Sequence, residues 1–332
     1  MNLQPLFGLA LTLALTGGCA QQASPPGHAL TKVTFNMSWL PQGSMAGVIV
    51  AIDKGFYAAH QLDVEAVRGF GGIRTTNEVD QGMFDFAYGD PLSVILNRAH
   101  GGSARLVGII NQRWPAGLCF LKEYKHIAAP ADLKGLTVGG GQNSAVQTLL
   151  PLWLKRNNVD PAGVKILQLN PSVIVASLIE GKIDAAECWR GNSRPLFEKE
   201  AKAAGKTIDW LEYGQFSLDI YGPGLITTDR TIAQRRAVVQ GFVDATYQGY
   251  AYVQQHPDEA RDILLKRFPM LDAAVTAQQI QEIQQLMTSA QGMGVAQPEK
   301  MSRTLEFIAS AYQLDGKLAP DAIYTNQFLV RP

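Results

Sequence analysis

The sequence predicts an α/β fold of two lobes that face a single ligand between them. Three observations carry this expectation. A Gly-x-x-Asp-x-Ala motif occurs twice, beginning at Gly82 and at Gly181. Strand-like and helix-like segments alternate through one unit and then restart in a second. After about residue 230 the pattern turns wholly helical, so the remainder cannot build a third sheet and is expected to pack on the first lobe or over the hinge. In both motif copies the glycine can stop a helix by adopting a left-handed conformation. A short apolar run follows, of the length of a buried strand. Each run ends in residues foreign to a core: Tyr88, Gly89 and Asp90 in one copy, and Glu187, Trp189, Arg190 and Asn192 in the other. Open α/β sheets bind ligands outside the carboxyl ends of their strands. Two such ends, one per half, place one ligand between two lobes.

In chain order, residues 32–39 alternate as a strand. Pro41-Gln42-Gly43-Ser44 punctuates, with Ser44 as the expected N-cap of a helix over 45–57. Residues 62–67 form a strand, 69–72 a loop, 74–81 a helix and 85–88 a strand, and Asp90 caps a helix over 91–100. Two strands follow, at 105–111 and 117–121. The pattern restarts at 129–135, with a strand at 136–139, a glycine turn into a helix over 145–157, and a strand at 164–169. Ser172 is the expected cap of a helix to 180. The second motif copy supplies the next strand, then come a helix over 195–204 and a strand at 208–211. Residues 221–227 read as a strand re-entering the first lobe, followed by helices over 233–255, 257–268, 277–290 and 298–312.

The 332 residues are 46% hydrophobic, enough for a large core in two domains. Lys+Arg and Asp+Glu both count 29, so no basic field draws in nucleic acid. Residues 6–15 form an apolar run too short to span a bilayer, which takes roughly 20 residues. It has the length of a signal-peptide core, and Thr16-Gly17-Gly18 before Cys19 supplies small residues for cleavage. Residues 1–18 are therefore expected to be a signal peptide and 19–29 a flexible tether. Leu15-Thr16-Gly17-Gly18-Cys19 resembles a bacterial lipobox, which implies lipidation of Cys19. Cys119 and Cys188 lie in apolar runs and read as buried free thiols, although in an exported chain they could pair. No Cys/His spacing suggests a metal site.

The chain resembles the solute-binding proteins of the nitrate, sulfonate, taurine and thiamine-precursor ABC importers, whose fold is shared with thiamine-pyrimidine synthase. The matching residues are Trp39-Leu40-Pro41 with Ala46-Gly47 and Ala51; Lys54-Gly55-Phe56-Tyr57; Leu62-Asp63-Val64; Gly82 with Asp85-Phe86; Asp132-Leu133-Lys134-Gly135 with Val138-Gly139; and Leu178-Ile179 with Gly181 and Asp184-Ala185. The resemblance implies a type II, flytrap fold with two crossovers and the C-terminal helices on the first lobe. Lobe one would hold residues 30–122 and 216–332, and lobe two 123–215. It also implies a monomer in the periplasm or on the outer face of the cytoplasmic membrane (the outer membrane is another place for a lipoprotein), with an inner-membrane ABC permease as partner.

Candidate ligand groups follow from helix starts and strand ends. Gln42, Ser44, Asp90, Asn143 and Ser144 stand at helix N-termini, where free N–H groups favour anions; Asp90 reads equally as an ordinary N-cap. Trp39, Tyr88, Trp189 and Tyr221 offer aromatic walls, and Trp39 and Trp189 adjoin polar turns. Glu187 stands where a carboxylate could accept two N–H bonds from an amino-amidine edge; a salt bridge with Arg190 is its alternative role. Arg74 and Arg190 could bind a sulfonate or carboxylate bidentately. The set tilts toward a flat, uncharged or amine-bearing heteroaromatic, with thiamine pyrimidine precursors favoured and sulfonate, nitrate or aromatic carboxylate as the alternative. An enzyme like the thiamine-pyrimidine synthase is the competing class. The chain has no cysteine cluster, nucleophile–base pair or P-loop, so no cofactor and no catalysis are expected.

Overall fold

A computed structural model describes residues 1, 29–141, 144, 146, 149–315 and 318–329. Residues 2–28 of the expected signal peptide and tether, Cys19 among them, and Asn143 lie outside the described residues. Two five-stranded sheets organise the chain. The first contains β1 (Thr31–Asn36), β2 (Leu62–Val67), β3 (Phe86–Gly89), β4 (Ala104–Ile109) and β10 (Gly224–Thr228), in the order β2-β1-β3-β10-β4. The second contains β5 (Ala116–Leu121), β6 (Thr137–Gly141), β7 (Lys165–Leu169), β8 (Ala185–Trp189) and β9 (Ile208–Glu212), in the order β7-β6-β8-β5-β9. In each sheet one strand runs against its neighbours: β10 against β3 and β4, and β5 against β8 and β9. Both antiparallel strands follow directly on a crossing between lobes.

The expected lobe boundary after residue 122 is therefore misplaced. β5 pairs with β8 and β9, so the first crossing runs through residues 110–115. An apolar run declares itself a strand, but not which sheet takes it. The return crossing runs through 213–223.

The helices sit close to their expected places. α1 (Ala46–Asp53) and α2 (Phe56–Ala59) divide the single helix expected over 45–57, because Gly55 is left-handed at φ 72°. Ser44 lies inside the turn Gly43–Met45 and does not cap the helix, whose N-cap is Met45, and Asn170, not Ser172, caps the turn ahead of α6 (Ile174–Ile179). α3 (Gly72–Asp80), α4 (Pro91–Ala99), α5 (Leu149–Arg156) and α7 (Arg194–Ala203) complete the α/β units. The helical remainder is α8 (Asp229–Gln234), α9 (Arg236–Gln255), α10 (Pro257–Arg267), α11 (Ala273–Met287), α12 (Pro298–Tyr312) and α13 (Pro320–Ile323).

α9 lies along α1 in the first lobe. A Cβ on Gly47 would come 2.3 Å from the Tyr250 ring, and one on Gly249 would come 2.0 Å from the Gly47 carbonyl, so both glycines are required for the approach. Phe242 of α9 stacks on Phe86 of β3 at 3.9 Å, tying the C-terminal helices to the first sheet. Full burial of such a side chain stabilises by about 1.5–3 kcal/mol. Cys119 and Cys188 form a disulfide with Cα atoms 5.9 Å apart, which corrects the free-thiol expectation. Cys119 is opposite Ala186 and Gly117 opposite Cys188, so the two thiols share a face on adjacent antiparallel strands.

Candidate functional site

The first-lobe wall is built where β1 and β3 end. Beyond β1 the chain turns through Ser38 and Trp39 against the loop after β2. Gly69 N–H donates to the Trp39 carbonyl at 3.1 Å and Gly71 N–H to the Ser38 carbonyl at 2.8 Å. This holds Trp39 out at 39% exposure. Beyond β3, Asp90 caps α4 through its Oδ1, which accepts the Ser93 N–H at 2.8 Å, with Pro91 in the first turn. Its Oδ2 faces Gly72, 3.2 Å from where a Cβ would stand, so it remains turned toward the loop at the strand ends. Burial pushes the Asp90 carboxyl up, and the N–H groups of Ser93 and Leu92 only partly offset this. Tyr88, buried, is also pushed above the usual phenol range by desolvation, with Ser44 and Asn111 beside it. Gln42 and Ser44 are buried at the start of the turn into α1.

The second-lobe wall is built at the end of β8. Alternation puts Ala185, Glu187 and Trp189 on one face and Ala186 and Cys188 on the other. Glu187 is 7% exposed. Burial pushes its carboxyl up, against smaller opposing effects from the Ser144 hydroxyl, the Trp189 side chain and the Val146 N–H. Its Oε1 nonetheless has no hydrogen bond of normal geometry. Trp114, on the first crossing, packs its ring 5.1 Å from Trp189. Tyr213, at the start of the return crossing, is fully buried, and burial and then the Glu187 charge push its hydroxyl far up.

Among the described residues, eleven buried side-chain polar atoms have no hydrogen-bond partner. Several of the eleven belong to these strand ends and crossings, among them Ser44 Oγ, Asn111 Oδ1, Gln112 Nε2, Trp114 Nε1, Ser144 Oγ, Glu187 Oε1, Arg190 Nε and Tyr213 Oη. Buried polar groups are almost always paired, because an unpaired one costs about 1–3 kcal/mol. Such atoms gather on the two walls and on the crossings between them.

Other expected ligand groups are engaged elsewhere. Arg74 donates from Nε to Glu78 at 2.7 Å and lies over the Phe70 ring, with 61% of its side chain exposed. Arg190 pairs with Glu212 at 3.6 Å and with Gln285, not with Glu187, while its Nε has no hydrogen-bond partner. Tyr221 is buried against α12: its hydroxyl accepts the Gln297 N–H at 2.7 Å and its ring lies under Lys300, so it forms no ligand wall. Asn111, Trp114 and Tyr213 were missed by the sequence reading. The signal available for the first two was a tryptophan and polar residues wedged before Pro115 between two apolar strands.

A surface groove of about 250 Å³ lies elsewhere, between α5, α12 and the return crossing. Its charges pair among themselves, Arg303 with Asp219 at 2.8 Å and Arg156 with Glu306 at 3.8 Å. Among the described residues no group of His, Cys, Asp or Glu could hold a metal ion, and no helix is long and apolar enough to cross a membrane.

Comparison with known proteins agrees with this architecture. The family model described as NMT1/THI5 like matches residues 42–260. The riboflavin-binding protein RibY of Chloroflexus aurantiacus is 27% identical, over 95% of this chain and 91% of its own length. The formylaminopyrimidine-binding protein of Halalkalibacterium halodurans is 24% identical, over 78% of each chain. The crystal structure of the periplasmic aliphatic sulphonate binding protein SsuA from Escherichia coli shares the fold, with a TM-score of 0.71 and 16% identity over 90% of this chain and 99% of that one.

Proposed function

The chain belongs to the NMT1/THI5-like family, and on that footing we propose that it is the extracytoplasmic solute-binding component of an ABC importer. Its ligand is a small, flat heteroaromatic that offers N–H donors, held between the two lobes. The observation that carries this reading is Glu187: a buried carboxylate with an unpartnered oxygen, beside two indoles. A ligand N–H directed at Oε1 would supply the missing bond, while ring faces meet Trp114, Trp189 and Trp39. Trp114 Nε1 and Tyr213 Oη can donate to ligand carbonyls or ring nitrogens. Riboflavin and formylaminopyrimidine, the ligands named for two relatives, both have this mixed donor–acceptor edge. Sulfonates fit less well. Asp90 and Glu187 place a carboxyl on each wall, and the two arginines suited to a sulfonate are engaged by Glu78 and Glu212.

The mechanism is closure. A ligand that touches both walls stabilises the closed form by its differential affinity for it, and the permease reads that form. Enzyme chemistry of the thiamine-pyrimidine synthase kind is disfavoured, since Cys119 is committed to a disulfide. A lipid anchor at Cys19, a monomeric state and a place at the outer face of the cytoplasmic membrane belong to the same proposal.

The test is calorimetry and thermal shift on protein beginning at residue 19, with riboflavin, formylaminopyrimidine, thiamine, taurine and an alkanesulfonate. A ligand at ~100 times its dissociation constant should stabilise by about 2.7 kcal/mol. The expected result is a shift with riboflavin or formylaminopyrimidine and recovery of that compound unchanged. A shift with the sulfonates alone would overturn the assignment to Glu187.

A further inference from the structure

α11 belongs to the first lobe, packed on α10 and on the turn Gly43–Met45, yet one face of it lies against the second lobe. Near its middle, Gln279 bridges the two walls of the cleft. Its Oε1 accepts the N–H of Gly43, between Gln42 and Ser44, at 2.8 Å. Its Nε2 donates to the carbonyl of Asn192, just past Trp189 and Arg190, at 2.7 Å. One turn on, Glu282 is 6% exposed; its Oε2 accepts the Gly191 N–H at 2.5 Å and its Oε1 meets Arg194 at 3.1 Å.

These contacts are part of a ladder. The C-terminal end of α11 is fixed to the first crossing, where Gln112 N–H donates to the Leu286 carbonyl at 2.8 Å. Moving toward its N-terminus, α11 meets the second lobe at Arg190, then Gly191 and Arg194, then Glu198, and last at Lys199, which pairs with Asp272 at 3.0 Å. Apart from Ile283 against Gly191, the rungs are polar. An interface that never parts is normally apolar, whereas one that opens into water must leave groups that water can satisfy.

We infer that α11 is a clasp for lobe closure, and that Gln279 and Glu282 are positioning residues that hold the turn 189–194 where it completes the ligand site without touching ligand. Resting on the proposed two-lobe binding mode, this deepens it: occupancy near Gln42 and Ser44 and the set of the Trp189 turn are coupled through a single amide. Lobe opening would break the ladder from its far end toward the crossing.

The test measures the distance between spin labels at Phe70→Cys and Val173→Cys, exposed positions on the two lobes, in the full mature chain. In ligand-free protein, Gln279→Ala with Glu282→Ala should move the distance distribution to longer values. Glu282→Gln, which keeps an oxygen for Gly191 but loses the charge facing Arg194, should lie between; it alone decides if the double variant does not fold. A ligand-free distribution in the variants equal to that of the parent overturns the clasp. Riboflavin and formylaminopyrimidine are then added to the parent protein. If neither shortens the distance, the proposed ligand is wrong, and this is read apart from the comparison of ligand-free proteins.

Discussion

The two lobes use one local frame and fill it differently. In the first, Gly82 is left-handed at φ 79° and Asp85 Oδ2 accepts the Thr34 N–H at 2.8 Å. In the second, Gly181 is left-handed at φ 72° and Asp184 Oδ2 accepts the Thr137 N–H at 2.8 Å. Each carboxylate also meets a cation, Arg235 in one lobe and Lys125 in the other. Three residues past the aspartate the strands diverge: Tyr88 against Glu187. Five past, Asp90 in the first lobe corresponds to Trp189 in the second. The repeated residues answer backbone demands, stopping a helix and starting a strand beside its neighbour. The differing residues answer less to the shared frame, although Asp90 also caps α4. The second lobe also carries a disulfide for which the first has no counterpart among the described residues.

That disulfide is the largest expected difference between the halves. It closes a sequence separation of 69 residues, and losing such a bridge typically costs about 2–5 kcal/mol. Cys119→Ala with Cys188→Ala should therefore lower the second lobe's stability more than the first's. Hydrogen exchange during denaturant titration would read it: β8 amides should lose protection at lower denaturant while β3 amides hold. Equal loss in both sheets would mean that the lobes unfold as one unit.

The divergent strand ends provide the next contrast. Glu187→Gln removes a charged acceptor, and a hydrogen bond to a charged group is worth about 1.5–3 kcal/mol, so formylaminopyrimidine or riboflavin should bind ~10- to 100-fold more weakly. Tyr88→Phe, at the equivalent position, should cost under ~10-fold. The same glutamate should act oppositely on the ligand-free fold. Burial raises its pKa in the folded state, so its ionisation opposes folding: stability is fullest below the unfolded value near 4.5 and is lost as pH rises through the raised folded value. At pH 7 Glu187→Gln should thus melt higher than the parent without ligand. A lower melting temperature would mean that Glu187 supports the fold instead of recognition.

Much of the frame could be read from sequence, because glycine, proline, capping residues and alternation are local signals. The two strand ends bearing Tyr88, Asp90, Glu187 and Trp189 were readable for that reason. The pairing of β5 was not. It depends on which sheet the chain enters after Trp114, and the disulfide was missed with it, since Cys119 and Cys188 share a face only once β5 runs against β8. Tyr213 and Trp114 escaped because their place depends on the crossings. Arg190 drew its partner from β9, far along the chain. Arg74 was a different failure, as its partner Glu78 sits four residues on, a helix spacing that could have been weighed.

The shared aspartates allow a smaller test. Burial pushes the Asp184 carboxyl up, but the Thr137 N–H and the Lys125 ammonium outweigh it and hold the pKa below the usual carboxylate value. Its stabilising effect is present above the unfolded value near 3.8 and is lost as pH falls through the lower folded value. Asp184→Asn should cost about 1 kcal/mol at pH 7, and the gap to the parent should close in acid. A gap that persists once pH has fallen below that lowered folded value would assign the loss to geometry and not to charge.

The glycines test the frame itself. A non-glycine residue in the left-handed region costs about 1–2 kcal/mol from Cβ crowding against its own backbone, so Gly181→Ala and Gly82→Ala should each cost about 1 kcal/mol. At Gly181 a Cβ would meet nothing within 4 Å, making that penalty purely conformational. At Gly82 it would come 3.0 Å from the Arg230 guanidinium, the far end of a side chain that can move. Near-equal losses in urea denaturation would show that both lobes need the motif for one backbone reason. Gly181→Asn separates the causes further. Asparagine tolerates this region better than alanine, so it should recover part of the loss. If alanine and asparagine are equally damaging, the cost lies in a contact and not in φ, and the likeness between the two halves is then one of sequence without a shared mechanical cause.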